Sequence, residues 1–214
     1  MTFTCWIPAG WTRIDLTGDV DAALHAAIGP AVRAAPVSRQ PEARRLLIET
    51  VGATMHTLAE RGALCVLLPL DPTDPDPVRP VVAIVPLDVP DGTDPVALAA
   101  GLAREDPTAS LVDLPGLIAV RTHSSHDATD RFLAAMATAA SQVDGPVPDT
   151  RRSPGDPTLQ AVRVGYVLGD PDHHDRWLTI ELALEHPSTE GGTVLRDRAV
   201  ALFDAVVSTF RWLP

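Results

Sequence analysis

The chain has 214 residues, 45% of them hydrophobic and 21% charged, which is ordinary for a globular protein and ample to bury a core. Its formal net charge is -11, and all 17 basic residues are arginine. A standard phosphate loop, a Schiff-base lysine and a protein-kinase strand lysine are thereby excluded, and the acidic balance disfavours nucleic acid, whose phosphates demand a basic face.

No apolar run approaches the roughly 20 residues that span a bilayer, so membrane insertion is not expected. The first residues lack a charged stretch followed by an apolar one, and the expectation is a cytoplasmic protein. Cys5 and Cys65 sit in apolar, strand-like surroundings without motif spacing. They read as reduced thiols rather than as a disulfide or a nucleophile.

In chain order, Thr2–Leu16 reads as strand, turn, strand, with Pro8-Ala9-Gly10 supplying the turn. Asp19–Ala35 is Ala-rich and helical, and Gly29-Pro30 is expected to kink or divide it. Pro41 suits the first turn of a second helix, in which Leu47, Val51, Met55 and Leu58 form one stripe and Gly62 is the stop. Leu64–Leu70 and Pro80–Leu87 are apolar strands joined by an acidic, proline-stiffened loop, Asp71–Arg79.

Asp94-Pro95 opens a short helix with Val96, Leu98, Ala99 and Leu102 on its apolar face. Ser110–Leu114 and Leu117–Arg121 flank Pro115-Gly116 as a compact hairpin, and Thr129–Val143 carries Phe132, Leu133, Met136 and Ala140 at helical spacing. Gly145–Pro157 reads as loop. Leu159–Leu168 and Trp177–Glu185 form another hairpin around Gly169–Arg176, and Thr193–Trp212 is an amphipathic closing helix. Hairpin connections predominate. The expected fold is α+β, a three-layer α/β/α sandwich around a largely antiparallel sheet, in one domain over 1–214.

Two histidine-bearing stretches could carry chemistry. In Thr122-His123-Ser124-Ser125-His126-Asp127, with Asp130 beyond, a helical course would put His123, His126, Asp127 and Asp130 on one side, and imidazole plus carboxylate suits zinc or iron. The competing reading is an exposed loop running into a helix, capped by Asp127 or Thr129. Asp170-Pro171-Asp172-His173-His174-Asp175, with Glu181 beyond, mimics a calcium loop only superficially, because His174 and Asp175 occupy its ligand and glycine positions. It reads as a solvated hairpin tip. Gly191-Gly192 could offer amides to an anion, but Glu190 beside them would repel it.

Tryptophans bracket the chain: Trp6-Ile-Pro-Ala-Gly-Trp11 near the beginning and Phe210-Arg211-Trp212 near the end. With the antiparallel strands between, these segments resemble the PsbP-like superfamily, which includes DcrB-like proteins, in its bacterial branch. There a Pro-x-Gly-Trp strand opens the domain and a terminal helix packs on the sheet. The resemblance implies the same α/β/α sandwich, no shared catalytic set and no cofactor, and members that act mainly by binding. The expectation is a non-catalytic binding or adaptor protein, immunity- or chaperone-like, whose acidic surface meets a protein partner. The alternative is a metal-dependent hydrolase built on the histidine loops.

Overall fold

A computed structural model describes residues 2–70, 80–90, 92–134 and 157–214. Its centre is a seven-stranded sheet in which every neighbouring pair is antiparallel. The strands are β2 (Trp11–Asp15), β3 (Cys65–Pro69), β4 (Val81–Pro86), β5 (Ser110–Leu114), β6 (Leu117–Asp127), β7 (Leu159–Gly169) and β8 (Trp177–Pro187). They lie in the order β2-β3-β4-β8-β7-β6-β5. Two further short strands, β1 (Phe3–Thr4) and β9 (Arg211–Trp212), pair with each other as a separate ribbon. The expected α+β sandwich with an antiparallel sheet is the observed fold.

Helices form where capping and apolar spacing agree. In α1 (Val20–Ala34) the Asp19 carboxylate accepts from the Ala22 N–H at 3.0 Å, a cap that stabilises a helix by about 1 kcal/mol. α2 (Gln40–Glu60) has proline in its first turn and is followed by Gly62 at φ +81°, a left-handed position that a side chain would strain. Asp94 caps α3 (Pro95–Glu105), and Thr189 caps α5 (Glu190–Ser208). A further helix, α4, begins at residue 129 and is described to 134.

The two-residue alternation of the strands divides the core between two faces. On one, Leu67, Val164, Leu168, Ile180 and Leu182 pack under Phe203, Val206 and Val207 of α5. On the other, Ile14, Val66, Leu68 and Ala83 meet Leu24, Ile28 and Val32 of α1 and Met55 of α2. α1 and α2 thus cover the β2-β3-β4 end of their face, while α3 packs on β5 and β6 at the far end.

Thr2–Leu16 is strand, turn and strand as expected, with the Trp11 N–H donating to the Pro8 carbonyl at 3.1 Å; β1 pairs with β9, and β2 pairs with β3. Three expectations need correction. Pro30 lies within one continuous helix, because the Leu24, Ile28 and Val32 stripe is buried on both sides of it. The closing helix stops at Ser208, where the Val206 and Val207 carbonyls satisfy Thr209 and Phe210, and the chain leaves as a strand. Residues 122–127 continue β6 rather than forming a loop, because β7 offers a full ladder from Gln160 to Gly169. The Asp71–Arg79 connector, the helix beyond residue 134 and most of the Gly145–Pro157 loop lie outside the described residues.

Candidate binding site

Between α1 and α2 on one side and β3 and β4 on the other lies an open cavity of about 500 Å³. Leu47, Val51 and Met55, the stripe that sequence spacing assigns to the core, form its helical wall. Leu68, Leu70 and Val81 form its floor, and among the described residues the side-chain polar atoms in its lining belong to Thr50 and Thr54. Met55 is fully buried, whereas Leu46 at the rim is 59% exposed, a large apolar side chain beside an apolar opening. Ligand clefts commonly hold about 300–1,000 Å³ and are mostly apolar with few polar groups, and this cavity fits that description.

Thr50 and Val81 also line a second cavity of about 620 Å³, so the two adjoin. The second runs over β8, β7 and the end of β6, across the part of the sheet between α2 and α3. Register places Ala183, Arg163 and Ser124 side by side there, and Glu185, Ala161 and His126 one step along. Its lining is mixed: Phe132 and Leu159 are apolar, while Arg131, Arg163 and His126 supply cationic or donor groups. Glu185 pairs with Arg131, and Glu181 stands 3.7 Å from Arg163. Both arginines are more than half exposed, so these pairs contribute little to stability and can exchange partners.

The histidines do not assemble a metal centre. On β6, His123 pairs with Val164 and Asp127 with Gln160, whereas His126 pairs with Ala161 on the opposite face. Three residues of strand also separate His123 from His126 by about 10 Å. The Asp127 carboxylate is engaged by the Thr129 N–H and hydroxyl, an Asx turn that starts α4, as the capping reading proposed. His173 sits at the other end of the sheet beside Pro115–Leu117, about 20 Å along β6 from His123. Among the described residues, no group of three or more His, Cys, Asp or Glu could hold a metal ion.

Sequence reading missed two polar clusters. Asp170 is 5% exposed, where a solvated tip was expected, and its carboxylate accepts from the Asp172 N–H and the His173 ring while facing Arg176. It organises the β7–β8 turn. On the α5 face, the Arg121 guanidinium grips Asp204 with two bonds of 3.2 Å, and the Tyr166 hydroxyl donates to the same carboxylate at 2.8 Å. Burial, followed by the Asp204 carboxylate, pushes the Tyr166 hydroxyl up to about 12. The three groups tie α5 to β6 and β7. Burial likewise pushes the Cys65 thiol up to about 11 and raises Cys5, which disfavours the thiolate form of both.

No family model and no curated protein sequence matches the chain. Among solved structures, LpqN, described as involved in cell envelope biogenesis of Mycobacterium tuberculosis, is similar across all of this chain and 84% of its own. The TM-score is 0.38 and the identity 13%, and no residue role is carried across from it. No described helix is long and apolar enough to cross a membrane.

Proposed function

We propose that this chain is a non-catalytic binding or adaptor protein that takes an apolar group of its partner into the cavity beneath α2. The observation carrying this reading is the 500 Å³ opening, walled by Leu47, Val51 and Met55 and rimmed by the exposed Leu46. Among the described residues nothing fills it, and exposed apolar clefts of this size commonly serve as binding sites. The net charge of -11 adds a second element, since it would draw a basic protein partner to the exterior and make that encounter salt-sensitive. A cytoplasmic setting and a place in the PsbP-like superfamily belong to the same proposal. The antiparallel sheet covered by α5 supports the superfamily placement.

The direct test uses a neutral solvatochromic dye such as Nile red. It should bind the folded chain with a blue-shifted emission, and Thr50→Trp, which places an indole at the mouth, should remove that signal. Thr50 is exposed on α2, so this variant should fold normally, and Thr54→Trp provides a second block from the same wall. A signal unchanged by both variants would rule out the cavity as the binding site.

A further inference from the structure

Leu46 and the cavity it borders occupy one patch of surface. Ala43, Leu46, Thr50, Ala53 and Thr57 recur at three- and four-residue spacing along the outward side of α2, the spacing with which helices meet. None of the five is charged, although all but Ala43 are exposed, Leu46 by 59%. The Thr50 hydroxyl donates to the Leu46 carbonyl at 2.7 Å, and the Thr57 hydroxyl to the Ala53 carbonyl at 2.9 Å. Both donors are thereby used within the helix. Beside them Arg45 and Glu49 form an exposed ion pair of 3.1 Å, one turn apart. Residues 39–61 hold four arginines and three glutamates, so this segment does not share the acidity of a chain of net charge -11.

We infer that a second copy of this chain covers the cavity, the two α2 helices packing antiparallel about a twofold axis near residue 47. This rests on reading the cavity as a binding site and names its occupant. A twofold contact must be self-complementary, with the same patch on both sides. Here an apolar side chain stands beside an apolar opening, so Leu46 of each copy reaches the mouth of the other's cavity. An axis at residue 47 also sets position 45 of one helix level with position 49 of the other. Each Arg45–Glu49 pair then lies head to tail on its copy, four charges of alternating sign.

Other occupants use less of this surface. A small apolar ligand would fill the cavity and leave the stripe and Leu46 bare. A strongly basic partner finds its charge complement elsewhere on the exterior, away from residues 39–61. The 21 residues of α2 make a contact about 30 Å long, and one helix face falls short of the roughly 1,200–2,000 Å² of a stable complex. The dimer should therefore be weak, with Kd on the order of tens of micromolar.

The test is sedimentation velocity of the full chain from about 5 to 500 μM, a range that brackets a weak dimer. The sedimentation coefficient should rise with concentration. Association should tighten as salt increases from about 10 to 150 mM, because screening relieves the repulsion between two chains of net charge -11. Recruitment of a basic partner would show the opposite salt dependence. Leu46→Gln, at an exposed position, should weaken association at least about tenfold and leave the melting temperature of the dilute chain unchanged. Arg45→Glu and Glu49→Arg should each weaken it by about threefold or more. The two together restore the alternation and should return it to within about twofold of the original.

A chain that stays monomeric throughout, while Thr50→Trp still removes Nile red binding, would overturn the second copy and assign the cavity to a smaller ligand. A dimer indifferent to Leu46→Gln, or single charge reversals that the double change does not repair, would overturn α2 as the contact. Nile red binding that neither Thr50→Trp nor Thr54→Trp disturbs would overturn the cavity reading itself, whatever the oligomeric state.

Discussion

Phe210 sits where three parts of the chain meet, and Phe210→Ala measures what joins them. The ring is fully buried, stacked on Phe3 at 5.3 Å with an interplanar angle of 22°, and edge-on to Trp212 at 5.1 Å. Truncating a buried phenylalanine costs about 3–5 kcal/mol, depending on how far the surroundings collapse. One wall here is the two-residue β1–β9 ribbon, which can relax, so about 3 kcal/mol is expected. For a chain of this length that corresponds to a melting temperature lower by roughly 6–12 °C. Urea unfolding followed by circular dichroism should show a lower midpoint with an unchanged slope. Phe3→Ala should couple to it by about 0.5–1.5 kcal/mol, the worth of the stacked pair beyond its area. Trp6→Ala should stay within about 0.5 kcal/mol, because that indole is 49% exposed. A loss below about 1 kcal/mol for Phe210→Ala, or strict additivity with Phe3→Ala, would refute the idea that these rings fasten the terminal segments to the sheet.

Tyr166 gives a pH prediction: its hydroxyl is raised in the folded chain from an ordinary 10 to about 12, so its contribution is full below pH 10 and is lost as pH rises through that interval. Tyr166→Phe should flatten this part of the stability-against-pH curve, as read by chemical denaturation. Thiol labelling at pH 8 should be slow at both Cys65 and Cys5 in the folded chain and rapid in denaturant, because burial raises both groups. Fast labelling of folded Cys65 would contradict its burial. A Cβ at Gly192 would lie 2.1 Å from the Pro187 carbonyl oxygen, so Gly192→Ala should cost more than about 2 kcal/mol or displace the start of α5, measurable by calorimetry.

The longest strands were the easiest to read. Leu159–Gly169 and Trp177–Pro187 alternate cleanly, and both find partners along their whole length. Residues 122–127 misled because serine, aspartate and histidine have low strand preference in isolation. A neighbouring strand supplies ladder bonds whatever the side chains, and β7 does so here. Phe210 falls on the helical stripe of Leu202, Phe203 and Val206, yet it is buried one element later, after the helix has ended. Of the bracketing tryptophans, Trp212 belongs to the ribbon and Trp11 packs against the core, while Trp6 is about half exposed. The cavity could not be read from the sequence. A stripe such as Leu47, Val51 and Met55 looks the same whether the facing surface fills it or stands back from it.

The position of β4 beside β8 carries a kinetic consequence. β2-β3-β4 and β5-β6-β7-β8 are two stretches of sheet with their pairing local to each, and in the described sheet the ladder that joins them runs along Val81–Pro86 against Leu178–Ala183. That seam joins residues roughly a hundred positions apart, so closing it sacrifices far more chain freedom than any hairpin does. The half ending in β8 also carries its own cover, since α5 follows β8 directly and packs back on it. The molecule should therefore assemble as two unequal modules that dock late. Amide protons of β7 and β8 should become protected first, and those of β2 and β3 should follow with seam closure.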